Sequence, residues 1–171
     1  MTTLPAHLKS INACEAAIAW VATLPKNVTL KQAWAKCERA DWMLWLCVKA
    51  NRGENGTELH RALVMASVLC ASTALPFIKK QETRDDITAC LDLLSAWVDG
   101  ADIDVIQIRR AAAYAAADAA YAAAYAADAA AATAYAAADA RKKVLAHMAD
   151  IVRDTVPIRL LESEFRKAVK L

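Results

Sequence analysis

Three groupings in this chain of 171 residues have the types and spacing to do chemistry. The first is a ladder of phenols and carboxylates: Tyr114, Asp118, Tyr121, Tyr125, Asp128, Tyr135 and Asp139. It is set in "AAAYAAADAAYAAAYAADAAAATAYAAADA", residues 111–140, where 22 of 30 positions are alanine. Tyrosines offer rigid contact area with a hydrogen-bonding tip, and carboxylates among them select a cationic surface. The second grouping is Cys37 with Asp41, one helical turn apart, which could serve a thiol nucleophile if a histidine approached in space. His7, His60 and His147 stand alone in the sequence, so a buried thiol and an N-capping carboxylate are the expected roles. The third is Trp34, Trp42 and Trp45, with Trp20 and Trp97 elsewhere. These rings could wall a ligand pocket, but their spacing on apolar segments predicts core packing.

The ladder is ordered. With about 100° turned per residue and Tyr114 at zero, Asp118 falls at about 40°, Tyr121 at 340°, Tyr125 at 20°, Asp128 at 320°, Tyr135 at 300° and Asp139 at 340°. All seven lie within an arc of about 100°, so an alanine rod would carry a single Tyr/Asp ridge. One alternative turns the tyrosines to the core and the alanines to water. It would bury the aspartates with them, and unpaired buried carboxylates are costly. Beyond the run, Val144, Leu145, Met148, Ile151 and Val152 fall on a separate side, while Lys142, Lys143, His147, Asp150, Arg153 and Asp154 share the ridge side. The core is therefore expected opposite the ridge. Ice binding, which long alanine helices invite, would need a row of threonines, and the run has only Thr133.

Composition narrows the function classes. The 21 basic and 19 acidic residues are scattered, giving a net charge of +2, without the strong field of a nucleic-acid binder. Neither a glycine-rich phosphate loop nor an HExxH pair is present. Five cysteines, Cys14, Cys37, Cys47, Cys70 and Cys90, form no CxxC pair and read as buried free thiols in a reducing cytosol. The start "MTTLPAHLKSINAC" lacks the pattern of a signal peptide. "ALVMASVLCASTALPF" is short for a membrane span, and three aspartates would be expensive in a bilayer. A cytoplasmic protein without cofactor or metal is expected.

The elements that must position these groups read as helices throughout. Only three glycines and four prolines interrupt the chain, and apolar residues recur at three and four. A first helix is predicted over Asn12–Leu24, from the stripe of Cys14, Ala17, Ile18 and Val21. Thr29 with Gln32 forms a capping-box pattern for a second helix. Asp41 is predicted to cap a third, "WMLWLCVKA", apolar on nearly every side and therefore central. "NRGENG" is a loop, Thr57 caps a helix ending near Leu75-Pro76, and another runs from Arg84 to Val98 and closes at Gly100. Asp102 or Asp104 would cap a long helix over residues 101–156, limited by Pro157, and "IRLLESEFRKAVKL" would dock last. The expectation is one all-α domain, a bundle of six or seven helices. Residues 1–100 would form its apolar core, 101–156 the long Ala/Tyr/Asp helix and 158–171 a short terminal helix.

The stretch "AWAKCERADWMLWLCVK" at residues 33–49, the apolar helix ending "ALPFIKK" and the segment "RRAAAYAAADAAYAAAYAADAA" together resemble a family of small phage and bacterial proteins. These are described as immunity proteins related to those of polymorphic-toxin loci. The resemblance covers roughly residues 12–155, and "CERADWMLWL" is its most specific piece. It implies an all-helical cytosolic protein that neutralises another protein by binding it. The residues and the resemblance together lead to a non-catalytic stoichiometric inhibitor, of immunity type or a phage-encoded anti-defence (for example anti-CRISPR) protein. The seven ridge residues would be its contact face, and its target a toxin or defence nuclease with a basic surface. Direct nucleic-acid or membrane binding is not expected. The alternative is a structural protein that self-associates, as a homodimer, without a foreign target.

Overall fold

A computed structural model describes residues 3–52, 54, 56–104, 106, 107 and 134–169, the side chains of Phe77, 134–140 and 166–169 excepted. Among the described residues every regular element is helical. In chain order these are α1 (Leu4–Ser10), α2 (Glu15–Ala22), α3 (Leu30–Lys36), α4 (Ala40–Asn51), α5 (Glu58–Ser72), a 3-10 turn (Leu75–Phe77), α6 (Gln81–Val98), α7 (Ala134–Thr155) and α8 (Ile158–Val169). Among the described residues eight α-helices stand where six or seven were expected for the chain. The extra one is α1, whose seven residues are too few to show a hydrophobic period. Among the described residues no helix is long and apolar enough to cross a membrane.

The chain forms two compact units, residues 1–63 with 145–171, and residues 64–144. In the first, α1 packs with α2, and α8 lies against α3 and α4. Its core is built from Val21, Trp34, Met43, Cys47, Leu59, Val152, Val156 and Leu161, all buried. At the outer edge His7 of α1 meets the ring of Phe165, centroids 4.6 Å apart. In the second unit Ala66, Val68 and Cys70 of α5 are buried, as are Thr83, Cys90 and Leu91 of α6. The 3-10 turn packs on α6, and Arg84 donates to the carbonyl of Ile78 at 2.5 Å.

Local sequence explains most of the boundaries. Thr29 and Gln32 make the full capping box: the Gln32 N–H donates to Thr29 Oγ1 at 3.2 Å and the Thr29 N–H to Gln32 Oε1 at 2.9 Å. Asp104 accepts from the Ile106 N–H at 2.9 Å, which selects it over Asp102 as the cap there. Gly100, at φ +98°, closes α6, with its own N–H on Trp97 O and the Ala101 N–H on Ala96 O. Asn12 does the same for α1. Its φ is 61°, and the Ala13 N–H reaches back to Leu8 O, so Asn12 is a left-handed helix exit and not the predicted helix start. Asparagine tolerates this region better than other residues with a Cβ.

Two other expectations are corrected. Helix α5 stops at Ser72 rather than near Leu75, and Leu75–Phe77 forms the separate 3-10 turn. Asp41 is not the N-cap of α4, because the helix begins at Ala40 and the carboxylate lies inside its first turn. Nor is α4 buried all round: Met43 and Cys47 are in the core, while Val48 is 56% exposed.

The loop between α4 and α5 is organised by one buried amide. Asn51 Nδ2 donates to Glu54 O at 2.8 Å, and its Oδ1 accepts from the Thr57 hydroxyl at 2.9 Å. Thr57 Oγ1 in turn accepts the His60 N–H at 3.0 Å, the predicted cap of α5. Replacing Asn51 by alanine removes both bonds and strands the Thr57 hydroxyl. The expected loss is roughly 1–3 kcal/mol of stability, read as a lower urea midpoint with unchanged slope.

Candidate functional site

A concavity lies in the first unit and is built from α1 to α4. It begins with the α3–α4 junction. At the end of helix α3 the Trp34 carbonyl accepts from the backbone only the long Cys37 N–H bond of 3.3 Å, and the Cys37 carbonyl lies past the helix. Arg153, from α7, supplies the donors, with Nη1 2.5 Å from Cys37 O and 3.4 Å from Trp34 O, while Nη2 bonds Asp150 at 2.5 Å. A guanidinium at a helix C-terminus also complements the helix dipole. Arg153 had been expected among solvent-facing residues, yet its side chain is only 22% exposed.

The chain then turns through Cys37 to Arg39 and enters α4. Arg39, Trp42, Trp45 and Lys49 follow at intervals of three, three and four, which places them on one helix face. The Arg39 guanidinium lies 4.4 Å from the Trp42 ring centroid, and Lys49 Nζ lies 5.6 Å from that of Trp45. Arg39 also grips Asp41 with two bonds, Nε to Oδ1 at 2.8 Å and Nη2 to Oδ2 at 2.6 Å. From α2, Trp20 meets Trp42 with centroids 6.0 Å apart and planes inclined at 54°. Only Trp34 among these rings is buried; Trp20, Trp42 and Trp45 are half-exposed, against the expectation of core packing.

The result is a groove of about 410 Å³. Leu4, Leu8, Val21, Leu30, Met43 and Leu46 line its floor and walls with the four tryptophans, and Arg39, Asp41, Cys14 and Cys37 supply its few polar atoms. Ligand pockets generally fall in this size range, with apolar and aromatic walls and a small number of polar groups. The sequence carried a signal for it in the Arg39, Trp42, Trp45, Lys49 stripe. The contribution of Trp20 and the α1 leucines depends on packing between helices.

The thiol chemistry considered for Cys37 is not assembled. Its Sγ is buried and contacts Arg39 O at 3.6 Å. Burial raises its pKa above the ordinary thiol value; a hydrogen bond with the Arg39 backbone and the charge of Arg153 oppose this only in part. The Asp41 carboxylate faces Arg39, whose hydrogen bonds hold its pKa below the usual range, and its charge disfavours a thiolate at Cys37. Burial pushes Cys47 up to about 12 and raises Cys70 and Cys90 as well. Cys14 is exposed, which corrects the expectation of five buried thiols. Among the described residues no group of three or more His, Cys, Asp or Glu could hold a metal ion.

Of the ridge, Tyr114, Asp118, Tyr121, Tyr125 and Asp128 lie outside the described residues. Tyr135 and Asp139 fall on the first turns of α7, one turn apart along its backbone. Further along α7, Ala149 and Val152 are buried, and so is Val156 just past its end; Lys142, Lys143, His147, Asp150 and Asp154 are exposed, as expected. Val144, expected in the core, is 44% exposed. Compared with known proteins, the chain matches no family, no curated protein and no solved structure.

Two measurements check this site. With a chromogenic disulfide reagent on native protein, one thiol of the five should react fast, and Cys14→Ser should remove that phase. Asp41 has a depressed folded pKa, so its stabilisation is present above the unfolded value of about 3.9 and is lost as pH falls through the folded one. Both side chains are over a third exposed, so Arg39→Ala should cost at most about 1 kcal/mol at neutral pH. That cost should shrink below about pH 4 in acid-titrated urea melts.

Proposed function

We propose that the chain is a non-catalytic inhibitor that neutralises another protein by stoichiometric binding. It would be an immunity-type protein or a phage-encoded anti-defence protein acting on a toxin or a nuclease such as a CRISPR effector. Two things support the reading: the resemblance carried by "CERADWMLWL", and the burial pattern of α7, which is the observation that carries it. On the angular scale that placed Tyr114 at zero, Asp150, Asp154 and His147, all exposed, fall at about 0°, 40° and 60°. Val152, Val156 and Ala149, all buried, fall at about 200°, 240° and 260°, whereas residues 141–144 are exposed at every phase. Carried back along an unbroken helix, the exposed phase would include Tyr114, Asp118 and Tyr125, and none of the seven ridge residues would fall in the buried one.

In this reading the contact face is the ridge of Tyr114, Asp118, Tyr121, Tyr125, Asp128, Tyr135 and Asp139. Carboxylates displayed among phenols, with no basic residue between positions 111 and 140, would meet the basic surface that a nuclease presents to nucleic acid.

The test is affinity capture from the native host, repeated with Asp118, Asp128 and Asp139 all changed to lysine and with each changed singly. The triple reversal should weaken capture of the specific partner by at least roughly ten-fold. A partner held equally by the triple variant overturns the contact face. A stable homodimer that loses its association on Tyr121→Ala, with nothing captured, would favour the self-assembling alternative.

A further inference from the structure

The groove between α1 and α4 is not used by the ridge reading and does not depend on it. Its aromatic rings are already held in place. Trp42 is fixed between the Arg39 guanidinium at 4.4 Å and Trp20 at 6.0 Å, and the Trp34 end of α3 is tied by Arg153. An occupant would therefore not have to order these walls, and a rigid flat body would lose less freedom on entering than a flexible chain. Rings also offer other rings offset and edge contacts beyond simple burial.

The segment that builds the groove carries an excess of one sign of charge. Residues 3–52 hold seven Lys and Arg against three Asp and Glu, although the whole chain is only +2. Within the groove's own stripe the two cations differ. Arg39 is offset by Asp41 through two hydrogen bonds, whereas Lys49 is paired with no carboxylate among the described residues. Lys49 does not itself line the groove but stands beside Trp45, which does, so an anionic group reaching out past that ring would be matched while an apolar body lay among Trp20, Trp42 and Met43.

We propose that this groove binds a small aryl monoanion, a fused-ring or biaryl carboxylate or sulfonate, with its rings against the joined face of Trp20 and Trp42 and its charge toward Lys49. An acyl carboxylate of equal charge fits less well because its chain must be ordered against planar walls. A neutral aryl compound would forfeit the cation.

The experiment is titration of the full-length protein, by calorimetry and tryptophan fluorescence, with four probes: 1-anilinonaphthalene-8-sulfonate, 2-naphthoate, dodecanoate and 2-naphthylmethanol. The two aryl anions should bind saturably at one per chain, more tightly than dodecanoate or the alcohol, and more weakly as salt rises. Lys49→Ala should weaken the anions by roughly three-fold and leave the alcohol unchanged. Ala16 lines the groove from the exposed surface of α2, so Ala16→Trp should fill it without removing a core side chain. Loss of binding in that variant, with an unchanged melting temperature and circular dichroism, supports the site. Aryl-anion binding that survives Ala16→Trp, dodecanoate binding as tightly as the aryl anions, or no saturable binding would each overturn the proposal.

Discussion

The first unit depends on a guanidinium placed at the end of a short helix. Helix α3 has seven residues, too few to be stable alone in water, and its C-terminal carbonyls face inward. Arg153 reaches them from more than a hundred positions away in sequence and bonds Cys37 O and Trp34 O together. This fixes the direction in which the chain leaves α3 and enters α4. The register of Arg39, Trp42, Trp45 and Lys49 against α2 follows from it. Asp150, one turn before Arg153 on α7, accepts a bond from the same guanidinium, so the cation is neither stranded nor free to turn away. The capping box at the other end of α3 completes the arrangement: both ends of a marginal helix are hydrogen-bonded, and Trp34 is buried between them.

Electrostatics divides the chain's binding chemistry into two kinds. The four N-terminal helices carry a basic excess and present aromatic rings, while residues 111–140 carry aspartates and phenols with no cation among them. Within the basic part the strongest pair, Arg39 with Asp41, neutralises itself and stiffens Trp42 instead of attracting a partner. The thiols follow the same logic of burial. Cys37 and Cys47 act as small apolar fillers because desolvation opposes the thiolate, and the carboxylate nearest Cys37 opposes it further. A pairing that reads in sequence as a candidate nucleophile with its acid thus resolves into a filler and one half of a surface ion pair.

The features legible in the sequence were those decided within one or two helical turns. The Thr29 and Gln32 box, the Thr57 cap, the glycine exit of α6 and the stop before Pro157 all rest on contacts between near neighbours, and each appears as read. The misread positions depend on what lies across a gap. Asn12 looked like a helix start because the stripe from Cys14 to Val21 was clear, but α1, invisible to periodicity, occupies the preceding residues and needs a left-handed exit. Asp41 looked like a cap because it precedes an apolar run, yet Arg39 claims both its oxygens.

By itself, then, the sequence determined the helical class and most helix boundaries, because backbone hydrogen bonds and side-chain period are properties of neighbouring residues. Tertiary structure alone decided that Trp20, Trp42 and Trp45 wall an open groove and that Arg153 turns inward. Those outcomes depend on which surfaces meet, and an apolar stripe on a helix specifies that it will be covered without specifying by what or how completely.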